Sequence, residues 1–91
     1  MEIYWTLKAQ DGLERFYRFA LQYSRQHDDD ALNRLITGSA GLKAHPAIGI
    51  QLIRYEPREV RKVILDDYEI HYELRDNAIY IVDLWHAKKE R

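Results

Sequence analysis

The side chains that could carry chemistry gather on one predicted sheet face. Lys62, His71 and His86 could hold a phosphate and move a proton, which is the equipment of a metal-free ribonuclease. Glu69 and Glu73 share that face and could form an acid–base pair. Two carboxylates would repel a bound phosphate, and as solvated strand residues they need no chemical role. The four histidines, His27, His45, His71 and His86, are scattered, with no His-Glu-x-x-His spacing and no glycine-rich phosphate loop nearby. Cysteine is absent, which excludes a thiol nucleophile, a cysteine-based zinc site and a disulfide scaffold. Ser24 and Ser39 fall on the inner faces of predicted helices, as core or capping residues rather than nucleophiles. The sequence therefore predicts no metal and no cofactor, and sets an interaction surface against a ribonuclease as the two uses of this face.

The elements that must position these residues follow from periodicity. Ile3-Tyr4-Trp5 reads as a short strand, and Thr6 as the N-cap of a helix running to about Gln26. Leu13, Phe16, Tyr17, Ala20 and Ser24 share the inner face of that helix, with Phe19 and Tyr23 on its flank. Asp28-Asp29-Asp30 reads as a break that caps a second helix from about Ala31 to Ala44, with Leu32, Leu35, Ile36, Ser39 and Leu42 inward. Gly38, Ala40 and Gly41 either admit a close neighbour or weaken the helix end. A loop from His45 to Glu59 holds Pro46, Gly49 and Pro57.

Strict alternation then predicts a strand through Lys62–Leu65, a second over Tyr68–Arg75, a two-residue turn at Asp76-Asn77 and a last strand over Ala78–His86. Counting across the turn pairs Leu74 with Ile79, Tyr72 with Ile81, Ile70 with Asp83 and Tyr68 with Trp85 on the helix-covered face, which Val63 and Leu65 join. The opposite face would carry Lys62, Ile64, Glu69, His71, Glu73, Tyr80, Val82, Leu84 and His86, a mixed surface that a partner should cover. Asp83 is an awkward member of an apolar face.

Length and charge set the outer bounds. Ninety-one residues make a single domain, 1–91, with 46% hydrophobic and 32% charged residues, a globular composition. A net charge of −1 argues against a dedicated or sequence-specific nucleic-acid binder. No apolar run is long enough for a membrane span and no signal segment opens the chain, so a soluble cytoplasmic protein is expected. His86-Ala87-Lys88-Lys89-Glu90-Arg91 forms a local basic tail.

Several of these stretches, in this order, resemble the ParE/RelE superfamily of toxins from bacterial type II toxin–antitoxin modules. The similarity lies in Trp5-Thr6 leading into Leu13-Glu14, Leu42-x-x-x-Pro46-x-x-Gly49, Val60-Arg61-Lys62-Val63, Asp67-Tyr68-Glu69-Ile70-His71-Tyr72, and the closing Ile81–Arg91. It spans the whole chain. The resemblance implies an α+β fold, with a two-helix hairpin on an antiparallel sheet in the order β-α-α-β-β-β. It also implies a plasmid-stabilisation toxin neutralised by a cognate antitoxin, whose segment would bury Phe19, Tyr23, Tyr80, Val82 and Leu84. RelE-like members cut messenger RNA on the ribosome, whereas ParE-like members block DNA gyrase without being enzymes. Where RelE has an arginine after the first strand tyrosine, this chain has Glu69, which opposes charge on a phosphate. The resemblance is therefore closer to ParE, with no catalytic residue and with Arg61, His86, Lys88, Lys89 and Arg91 facing the target. The alternative is a ribosome-dependent nuclease using Lys62, His86 and Lys89.

Overall fold

The computed structural model describes residues 1–23, 25–66 and 68–87, with side chains described outside 19–32. The chain runs β1 (Glu2–Trp5), α1 (Leu7–Tyr23), α2 (Arg25–Ala40), a 3-10 turn at Gly41–Lys43, β2 (Ile50–Gln51), a second 3-10 turn at Ile53–Tyr55, β3 (Glu59–Leu65), β4 (Tyr68–Arg75) and β5 (Ala78–His86). The strands form one sheet in the order β1-β5-β4-β3-β2. This α+β arrangement agrees with the sequence reading, with two refinements to the sheet. It is mixed rather than antiparallel, because β1 runs parallel to β5. Tight turns force antiparallel neighbours, but β1 is separated from the other strands by the helical hairpin and joins the far edge in the other sense. The loop after α2 also supplies the extra two-residue strand β2.

The helix boundary moves as well. The acidic run read as a break lies inside α2, which begins at Arg25. Positions 28–30 therefore fall within the helix and not before it. At the other end the helix stops at Ala40, and Gly41–Lys43 tightens into a 3-10 turn.

Thr6 caps α1 as its position suggested. Its hydroxyl accepts the Ala9 N–H at 3.1 Å and lies 3.1 and 3.2 Å from the carbonyls of Ile81 and Val82. The junction of β1 and α1 is thereby tied to the middle of β5. A Cβ built on Gly12 would sit 2.6 Å from the Leu84 carbonyl, so only glycine lets α1 press this closely on β5. A Cβ on Gly38 would meet the flexible Leu65 side chain, with Cδ1 at 3.0 Å, which can give way.

Asp76 and Asn77 both take positive φ, 53° and 56°, the geometry that a tight two-residue hairpin demands. From that turn the pairs Leu74–Ile79 and Tyr72–Ile81 form as counted. The register then slips by one: His71 pairs with Asp83, Ile70 with Leu84, Glu69 with Trp85 and Tyr68 with His86. Val82 is the additional residue of a β-bulge. The slip exchanges the faces of everything beyond it. Leu84 and His86, expected on the open face, turn toward the helices, whereas Asp83 and Trp85 turn outward.

Ile70, Tyr72, Ile79, Ile81 and Leu84 are fully buried beneath Phe16 and Leu35. The Tyr72 hydroxyl also holds the loop that leads into β2. It donates to the Pro46 carbonyl at 2.7 Å and accepts the Gly49 N–H at 2.9 Å. A Cβ on Gly49 would meet that hydroxyl and the Lys62 carbonyl, each at 2.7 Å, so the loop closes only over glycine. Tyr72→Phe leaves both loop groups without this partner and should lower the unfolding free energy by about 1–3 kcal/mol in urea titration. Tyr17→Phe, at an exposed ring, should stay within about 0.5 kcal/mol of the parent.

Candidate functional site

The sheet face turned away from the helices is the candidate site. Its central row comes from β4, which alternates Tyr68, Ile70 and Tyr72 into the core with Glu69, His71 and Glu73 on the open side. These three polar residues are nevertheless buried, between 5 and 8% exposed. Neighbouring side chains, not a helix, close over them.

Glu69, Glu73 and Asp83 on this face each have a partner. His71 Nε2 and Glu69 Oε2 lie 2.7 Å apart. Arg58 forks onto Glu73, with Nε donating at 3.1 Å and an Nη donating at 2.9 Å. Asp83 reaches the Lys8 ammonium at 3.3 Å and accepts the Leu84 N–H at 2.9 Å, which fastens the bulge. The Trp85 ring stands edge-on to His71, 4.6 Å between centroids. Toward β1, Tyr80 stacks on Tyr4 at 5.3 Å and carries the Arg75 guanidinium 4.3 Å over its ring. Arg54 and Arg58 both lie over Tyr55, at 4.8 and 5.8 Å.

Protonation follows from these contacts. Burial pulls the His71 pKa below its ordinary 6.5 despite the opposing pull of Glu69, and the Arg54 charge adds to the lowering. His71 is therefore neutral at pH 7, with Nε2–H donating to Glu69. The Arg58 fork holds the Glu73 carboxyl below the usual carboxylate range. Among the described residues, no three His, Cys, Asp or Glu side chains converge as metal ligands would.

The residues singled out by sequence are not brought to one place. Lys62 lies on the open face, opposite His71 across β3–β4. His86 lies on the helix side, its ring 5.0 Å from that of Tyr68. Arg61 is also on the helix side, paired with Tyr72 farther along β4. Its guanidinium donates to Glu59 at 2.9 Å and to the carbonyls of Gly49 at 2.7 Å and Ala47 at 3.2 Å, so it braces the loop before β2. Tyr80 and Val82 are half-buried. Leu84 corrects the earlier placement: the bulge at Val82 turns it into the core, where it is fully buried. The side chains of Phe19 and Tyr23, and residues Lys88, Lys89 and Arg91, lie outside the described residues. Sequence reasoning missed Arg54, Tyr55 and Arg58, which sit in what read as a featureless loop. An arginine-aromatic cluster beside Pro57 was the only signal for them.

The described residues thus form a small α+β domain with a helical hairpin on one sheet face and largely paired carboxylates on the other. The family model for the ParE toxin of the type II toxin–antitoxin system, parDE, matches residues 3–91. The chain belongs to the ParE toxin family. A solved structure described as a chromosomal ParDE TA system from P. aeruginosa contains a chain that superposes with a TM-score of 0.77, covering 97% of both chains at 18% identity. That likeness concerns the fold. A search of curated proteins gives no significant match. No helix among the described residues is long and apolar enough to cross a membrane.

The depressed pKa of His71 has a definite sign in stability. Above about pH 6.5 both folded and unfolded chains hold the ring neutral, and its contribution is fully present. As pH falls through the lower folded value, the unfolded chain binds the proton first and the contribution is lost. Unfolding free energy should therefore decline from pH 7 toward pH 5, and His71→Gln should flatten that decline. Stability that rises on acidification over this range would contradict the assignment. The Glu73 contribution has the same sign but is lost lower, below about pH 4.5.

Proposed function

We propose that this chain is a cytoplasmic, non-enzymatic toxin that acts by occupying DNA gyrase and is kept silent by a cognate antitoxin. Family membership supports the toxin–antitoxin setting, and the structural neighbour is itself described as a ParDE system. The observation that carries the non-enzymatic reading is the separation of Lys62 and His86. The two described residues of the ribonuclease alternative stand on opposite faces of the sheet, two strands apart. General acid–base catalysis requires its groups within hydrogen-bond reach of one substrate. His71, the other candidate proton carrier, is buried and engaged by Glu69.

The target-facing element in this reading is the basic tail from His86 to Arg91. Arg61 contributes indirectly, by bracing the loop beside β3. The antitoxin shields the chain by covering apolar surface, and dissociation or proteolysis of the antitoxin frees the tail to act.

Purified protein titrated into a gyrase supercoiling reaction should abolish supercoiling of relaxed plasmid, and the product of the adjacent reading frame should restore it. Removing residues 88–91 should weaken inhibition at least tenfold, while His86→Ala leaves most of it. Unaffected supercoiling, together with site-defined messenger cleavage in a translating extract, would overturn the reading in favour of the nuclease.

A further inference from the structure

The two edges of the sheet are finished differently. At the β1 edge the Trp5 carbonyl accepts the Gln10 side-chain amide at 3.0 Å, and a charged Glu2 opens the strand. Capped main chain and charged side chains are how natural edge strands refuse a further strand. The β2 edge has neither. Leu52 N–H donates to the Val60 carbonyl at 2.8 Å, while Ile50 and Gln51 pair with Lys62 and Arg61. Antiparallel alternation therefore turns the N–H and C=O of Gln51 away from β3, to the outside of the sheet. Among the described residues no side chain caps them.

The chain around that open edge is uncharged and apolar. From Ala44 to Ile53 it holds no Asp, Glu, Lys or Arg, in a protein where 32% of residues are charged. Ile48 is 65% exposed, Ile50 68% and Ile53 76%. Scattered apolar residues on a surface need no explanation, but these three share one short segment beside unpaired main chain. Open edge main chain fits an extended strand, and the flanking isoleucines fit an apolar one.

We propose that the β2 edge pairs with the β2 edge of a second copy of this chain, antiparallel about a two-fold axis at Gln51. Two features select a second copy. The first is self-complementarity. About that axis Gln51 exchanges both main-chain hydrogen bonds with its own mate, and Ile50 stands opposite the partner's Leu52, twice over. The second is charge. A two-fold contact brings each residue near its own mate, so a charged residue beside the axis would repel itself. The segment that meets the axis is neutral, and a net charge of −1 sets up little long-range repulsion between whole copies. The sheet then runs continuously through both copies, with the two capped β1 edges outermost. A contact confined to one short strand belongs to the weak class of interfaces. The inference does not depend on the reading of the chain as a gyrase-directed toxin.

Sedimentation velocity of the whole protein from about 10 μM to about 1 mM, the span in which small interfaces associate, should show monomer passing into dimer. Isotope-filtered Overhauser contacts in a mixture of labelled and unlabelled protein should join Ile50 methyls of one copy to Leu52 methyls of the other. Gln51→Pro removes an outward N–H that β3 does not use, and Ile50→Lys sets a charge beside the axis; each should weaken dimerisation roughly tenfold or more. Leu7→Lys, an exposed position outside this segment, should dimerise as the parent does. Circular dichroism melts separate lost pairing from lost fold. Should Gln51→Pro fail to fold, Ile50→Lys decides, because that side chain is already in solvent. A parent that stays monomeric across the range, or a dimer unmoved by both changes, would overturn the proposal. Edge amides at Gly49–Leu52 that respond only when the product of the adjacent reading frame is added would overturn it as well, and would give the edge to that protein.

Discussion

One additional residue in β5 determines what each face of this protein presents. Without the bulge at Val82, the two-residue periodicity of the strand would place Asp83 among the core side chains and Leu84 in solvent. A buried, unpaired carboxylate is among the least tolerable groups in a small core, and the loss of Leu84 would remove one of its fully buried side chains. The bulge resolves both at once. Its own geometry is secured from three sides: Asp83 accepts the Leu84 N–H, Lys8 holds the other carboxylate oxygen, and the Thr6 hydroxyl lies against the Ile81 and Val82 carbonyls. Gly12 lets α1 rest directly on the displaced backbone. The start of the helical hairpin and the middle of the last strand thus form one locked unit.

The consequence for function lies on the other side of the sheet. Asp83 and Trp85 join Glu69, His71 and Glu73 there, and the charges close on one another instead of reaching outward. Such a face has little to offer a phosphate in flight. His86, the histidine best placed by sequence for proton transfer, is carried by the same slip to the helix side against Tyr68. The same topology sets Lys62 and His86 on opposite faces of the sheet. Exposed on this face are Ile50 and Ile64 toward β2 and Tyr4 toward β1.

Much of this was legible in the sequence, and the failures have physical causes. The strands β3, β4 and β5 and the turn at Asp76-Asn77 were readable because alternation and positive-φ residues are local signals. Thr6 as a cap was equally local. The first helix was placed well at its start and the second badly, because an aspartate run serves both as a break and as the favoured charge of a helix's opening turns. β2 was invisible: two residues pair only because Tyr72, distant in sequence, fixes the loop that precedes them. The bulge had left a trace. Apolar spacing in the last strand changes from two, at Ile79 and Ile81, to three at Leu84, and Asp83 fell on a face where it made no sense. That misfit was itself the signal that the register had slipped. Arg58 and Glu73 could not have been paired from sequence, since nothing local links a loop arginine to a strand fifteen residues away.

The bulge is open to direct inspection. In nuclear Overhauser spectra of the uniformly labelled protein, cross-strand backbone contacts should connect Ile70 with Leu84 and His71 with Asp83, while Tyr72 contacts Ile81 and Val82 lacks a partner on β4. Contacts joining Ile70 with Asp83 and Tyr68 with Trp85 would mean an unbroken ladder. The sorting of the two faces described here, and the separation of Lys62 from His86 that follows from it, would then be wrong.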